Sequence, residues 1–127
     1  MNRVTKEIAI ALKDIGYDVP CNDYYMTNGE KCHGGYFNWN FGTRASVICS
    51  APTVYEAIEW LFEKNVLVLP VLSWLESDTP FGYQVWVRES KDMEWHEIHY
   101  SNQGLSRLAA YTAGLPIAID YIKNKIE

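Results

Sequence analysis

The chain has 127 residues, 48% hydrophobic and 21% charged, with a formal net charge of −5. That size and mixture suit one globular domain with its own core and exclude a disordered tail. No apolar run approaches the roughly 18 residues of a membrane span, so a membrane protein built on helices is excluded as well.

The first expected element is a helix over 4–15, with Val4, Ile8, Ala11, Leu12 and Ile15 on one stripe and Gly16 as its stop. The N-terminus lacks an apolar signal region, so a cytoplasmic location is expected. Asp18, Pro20 and Asn22 then form a loop. Asn28-Gly29 predicts a two-residue type I′ hairpin, which would set Thr27 opposite Glu30 and Tyr25 opposite Cys32. After Gly34-Gly35, the stretch 36–41 alternates, with Phe37, Trp39 and Phe41 facing one way and Tyr36, Asn38 and Asn40 the other. Ala45 to Cys49 reads as a further short strand.

The clearest pattern lies between 53 and 89. Thr53 and Glu56 have the spacing of a capping box, ahead of a helix over 54–64 with Val54, Ile58, Leu61 and Phe62 on one face. The apolar run 66–75 predicts a buried strand, and Glu76 to Pro80 a turn. The alternation of Phe81, Tyr83, Val85 and Val87 predicts a half-buried strand, and 93–100 a third strand of the same meander. A last helix over 105–125 should be kinked or broken near Gly114-Leu115 by Pro116, with Leu108, Ala109, Thr112, Ile119, Ile122 and Ile126 toward the sheet. The expectation is therefore a single α+β domain over residues 1–127. A small, mainly antiparallel sheet, made of an N-terminal hairpin and a three-stranded meander, packs with about three helices.

Chemistry is marked less clearly. His96 and His99 are three apart, so a regular strand sends them to opposite faces, and only a bulge or an early helical turn would bring them together. Cys32-His33 with Cys21 and Cys49 could supply a zinc set, but no two cysteines are closer than eleven residues, unlike the close pairs of structural zinc sites. The sequence has no partner base at recognisable spacing for a thiol nucleophile, no phosphate-cradling glycine loop and no H-E-x-x-H. Accordingly no catalytic residue, metal or cofactor is assigned.

Charge and aromatics say more. Six acids (Glu76, Asp78, Glu89, Asp92, Glu94, Glu97) face two bases (Arg88, Lys91) between 76 and 97, a local net of −4 that repels phosphate backbones. Five Trp and nine Tyr exceed the needs of a core this small, which places some rings on the surface, where they enrich at interfaces.

The run Val4 to Glu7, the loop Cys21 to Tyr25, and Ser50-Ala51-Pro52-Thr53 leading into Ala57 to Leu61 resemble a family of small uncharacterised proteins encoded by prophages and mobile elements of gut anaerobic bacteria. The resemblance implies an α+β fold and a bacterial or phage origin, and it brings no activity. The leading expectation is a non-enzymatic binding module, acting on a protein partner or on itself. Trp86, Arg88, Gln84, Trp95 and Trp39 are its candidate surface. The alternative is a small enzyme or ligand binder with a pocket near Cys32, His33, His96 and the aromatic loop 36–41. A third reading, nucleic-acid association, would need Arg3, Lys6, Lys13, Lys123 and Lys125 to gather on one surface.

Overall fold

In the computed structural model, which describes residues 2–40 and 46–126, the first helix α1 (Lys6–Asp14) starts at Thr5. The Thr5 hydroxyl accepts from Ile8 N–H at 3.3 Å, satisfying one of the donors a helix start leaves open. It ends in a Schellman motif. Gly16 takes φ +97°, its N–H reaches Lys13 O, and Tyr17 N–H reaches Leu12 O. The buried stripe is Val4, Ala9, Leu12 and Ile15, with Ile8 and Ala11 only half-buried.

The chain divides into two compact units, Met1–Ala57 and Ile58–Glu127. The first unit contains α1, β1 (Cys21–Met26), β2 (Lys31–Phe37) and β3 (Val47–Ser50), the strands forming an antiparallel sheet in the order β2-β1-β3. The expected type I′ turn is replaced by a longer one. Met26 N–H bonds Glu30 O, leaving Thr27-Asn28-Gly29 as a three-residue loop in which only Gly29 has positive φ, +89°. Asn28 instead uses its side-chain oxygen to accept from Glu30 N–H at 3.0 Å. This moves the register by one residue, so that Cys32 faces Tyr24 and Lys31 faces Tyr25. A one-residue slip exchanges the two faces of a strand.

Gly34 belongs to β2 because nothing larger fits there. A Cβ would lie 2.5 Å from the Tyr24 ring and 2.9 Å from Trp39. Trp39 is buried, donates to Cys21 O at 2.9 Å and meets the Tyr24 ring at 4.4 Å, tilted by 35°. Phe37, expected on the same side, is half exposed and meets Trp39 edge-on at 5.0 Å. Phe41 and Ala45 lie outside the described residues.

Helix α2 (Val54–Glu63) begins with the expected capping box: Glu56 N–H donates to Thr53 Oγ1 at 3.0 Å, and Thr53 N–H to Glu56 Oε1 at 2.7 Å. Val54, Ala57, Trp60 and Leu61 are buried, while Phe62 is 41% exposed, contrary to its expected inward place. The helix stops at Asn65, the one non-glycine residue with positive φ among those described, +68°.

The second unit holds β4 (Val66–Leu72), β5 (Phe81–Val87), β6 (His96–Leu105) and α3 (Arg107–Ile126), with strand order β4-β5-β6, all antiparallel. The meander is thus a separate sheet from the N-terminal one, where a shared sheet was expected. Strand β4 ends earlier than the apolar run because Ser73 and Trp74 N–H both turn to Pro80 O. Strand β6 starts later than expected and runs on to pair Leu105 with Phe81.

Helix α3 is continuous across Pro116, which is exposed. Of the expected kink or break near Gly114-Leu115, the break does not occur. Its buried face is Ala110, Gly114, Leu115, Ala118 and Ile119, so of the six residues expected there only Ile119 is buried. The small residues at 110, 114 and 118 explain the difference. They form one ridge along the helix, and a Cβ on Gly114 would clash with Val68, so the backbone itself lies against the sheet. Leu115 and Ile119 beside the prolyl bond anchor the helix where the ring removes one hydrogen bond. Among the described residues no helix is long and apolar enough to cross a membrane.

Candidate functional site

The meander has two unlike faces. On the α3 side Val66, Val68, Tyr83, Val85 and Val87 are all buried. The opposite face follows from register: Leu67 pairs with Trp86, Leu69 with Gln84, Gln84 with Tyr100, and Trp86 with Glu97. None of these outer residues is buried; Leu69 is 40% exposed and Tyr100 49%. Strand β4 is apolar at every position, a pattern that predicts burial on both faces, yet on the outer face Leu67 and Val71 are only half-buried and Leu69 is exposed. The outer residues Leu67, Leu69 and Val71 therefore add to the surface that the sequence had centred on Trp86. Period-two bookkeeping along β4 was the signal that could have found them.

Trp86 is half-buried, and its indole N–H donates to Gln84 Oε1 at 2.9 Å. Arg88 lies at the strand end. Its Nε bonds Asn65 Oδ1 at 3.0 Å, and its guanidinium carbon sits 4.4 Å from the Trp95 ring and 5.7 Å from Phe62. Phe62 and Trp95 stack at 5.7 Å. This is why Phe62 leaves the helix's buried stripe: it completes an aromatic pair that fixes the Arg88 plane. Four of the five candidate residues (Trp86, Arg88, Gln84, Trp95) thus belong to the second unit and to neighbouring positions of one meander. Trp39 does not belong with them. At 4% exposure it is a core residue of the first unit.

The register slip of the first unit creates a cluster the sequence did not disclose. It sets His33 opposite Asp23, and His33 Nδ1 lies 2.8 Å from Asp23 Oδ1. Arg3, held beside Thr53 by a backbone bridge, brings Nε to 2.8 Å from Asp23 Oδ2 and Nη1 to 3.4 Å from Glu56 Oε1. Burial pushes the Asp23 carboxyl up, but the His33 hydrogen bond and then the Arg3 charge outweigh it and hold the group below the usual carboxylate range. An ionised carboxylate only accepts, so Nδ1 carries the proton in this contact. The Asp23 side chain is 10% exposed and that of His33 75%. The imidazole therefore caps a buried charge at an open surface.

The other reactive groups are dispersed. Cys21 and Cys49 are fully buried, and burial pushes each thiol up to about 11, which removes thiolate at neutral pH. Cys32 lies on the other face of β2 from His33 and approaches Met26 Sδ at 3.2 Å. His96 belongs to the second unit, and Cys32 and His33 to the first. The expected separation of His96 and His99 is overturned by a bulge: they pair with Val87 and Val85, two residues apart, and so share a face. His99 stacks on Tyr83 at 5.5 Å. Among the described residues no group of three or more His, Cys, Asp or Glu could hold a metal ion. Of the five bases named for nucleic acid, Arg3 is tied to Asp23, Lys13 to Ile48 O and Lys125 to Glu89.

No protein-family model, curated protein or solved structure matches the chain.

Proposed function

We propose that this chain is a non-enzymatic interaction module, cytoplasmic and of bacterial or prophage origin, that binds another macromolecule through the outer face of the β4-β5-β6 meander. One observation carries the reading: none of Leu67, Leu69, Val71, Gln84, Trp86 and Tyr100 is buried, while Val66, Val68, Tyr83, Val85 and Val87 on the other face of β4 and β5 are. A large indole at the centre of such a face suits an interface anchor. Arg88, already fixed on Trp95, offers its guanidinium at little entropic cost.

The test is Trp86→Ala. Stability should stay within about 1 kcal/mol of wild type, because a half-exposed side chain leaves no core cavity. Partner capture from the native host, quantified by mass spectrometry against wild type, should fall at least tenfold for the same set of proteins. A loss of several kcal/mol would place Trp86 in the core. Unchanged capture would remove the face from the function.

A further inference from the structure

Six acids of the second unit stand in the connections at both ends of the meander and on its outer face. Glu76 and Asp78 lie in the β4–β5 connection, Glu89, Asp92 and Glu94 in the β5–β6 connection, and Glu97 pairs with Trp86 on β6. All six are exposed. Of the nearby cations, Lys91 lies 3.8 Å from Glu63 and Lys125 3.3 Å from Glu89, while Arg88, held by the neutral Asn65 and Trp95, and Arg107, 5.4 Å from the Phe81 ring, keep their charge and offset part of the acids. Among the described residues, none of Glu76, Asp78, Asp92, Glu94 and Glu97 is held in an ion pair. The face is therefore apolar along β4, carries Glu97 beside Trp86, and has Glu76 and Asp78 at one end and Asp92 and Glu94 at the other outside any ion pair.

From this complementarity we infer that the occupant is an amphipathic segment of another protein, apolar at its centre and carrying Lys or Arg toward both ends. The inference rests on the docking reading above and supplies the partner's chemistry. A second copy of this chain fits the same face badly. With acids at both ends of the strands, neither a parallel nor an antiparallel apposition of two copies brings a positive end onto a negative one. A nucleic-acid strand is disfavoured by the same charges. A cationic segment gains at both ends at once, and that attraction acts within a Debye length of about 8 Å at physiological salt, which favours encounter as well as register.

The probe is a synthetic amphipathic helical peptide with a leucine face and lysine flanks, titrated calorimetrically against the full chain, with a twin whose lysines are replaced by glutamate. The lysine peptide should bind at least tenfold more tightly than its twin. Its affinity should fall at least tenfold between 50 and 500 mM salt, over which the Debye length shortens roughly threefold. The combined variant Glu76→Gln, Asp78→Asn, Asp92→Asn, Glu94→Gln and Glu97→Gln, confirmed folded by circular dichroism, should weaken it to the same degree. Trp86→Ala should weaken both peptides. Equal binding of the two peptides, with Trp86→Ala still effective, would overturn the cationic partner and leave the docking face standing. Lysine-peptide binding that Trp86→Ala does not alter would overturn both. Self-association abolished by Trp86→Ala would make the occupant a second copy and overturn the inference.

Discussion

Asp23 shows how much one residue depends on its neighbours. It is 7% exposed in a strand otherwise buried at Cys21 and Tyr25, a position a carboxylate holds only when paired. Arg3 and His33 supply the pairing. Because its folded-state affinity for protons is lowered, its contribution to stability is complete above the ordinary carboxylate range near about 3.9. That contribution is lost as pH falls through the lowered folded value. Asp23→Asn should cost about 2 kcal/mol at neutral pH, and the acid limb of its stability profile should be shallower than that of wild type. Parallel acid limbs in urea titrations would show that Asp23 is not the linked group. The thiols offer a second measurement. Cys21 and Cys49 are fully buried, their thiols pushed up to about 11, so a maleimide should label Cys32 first in the native protein. Simultaneous labelling of all three would contradict their burial.

Two elements are held by features that can be removed singly. The Thr53–Glu56 capping box satisfies two donors at the start of α2, and Thr53→Ala should cost about 1 kcal/mol; an unchanged denaturation midpoint would contradict it. In α3, Pro116 is exposed within a continuous helix. Its ring removes a hydrogen bond at a position where nothing buried requires it, so Pro116→Ala should stabilise the protein by about 1 to 3 kcal/mol. A loss of stability there would mean that the proline fixes a bend the packing needs. The helix survives its proline because Ala110, Gly114 and Ala118 let its backbone lie against Val68 and its neighbours. That close approach is a property of the pair of elements and is absent from either one alone.

For the whole chain, local signals and long-range packing divided the work. The capping box, the Gly16 stop, the alternation along β5 and the order of helices and strands are set by residues within a few positions of one another, so the sequence alone determined them and with them the α+β class. Whatever depends on pairing between distant segments came only from tertiary structure. Asn28-Gly29 announces a hairpin, but the choice of a three-residue loop decides the register, and the register decides that His33 meets Asp23. Apolar residues at every position of β4 say that the strand can be buried, while only the placement of α3 says which face is. The three-residue spacing of His96 and His99 predicts opposite faces until a bulge, invisible in composition, brings them to one. The acidic stretch from Glu76 to Glu97 is plain in the sequence. Its place at both ends of the meander and beside Trp86 on the outer face is not, because strand order and facing are decided by hydrogen bonds between segments that the chain keeps far apart.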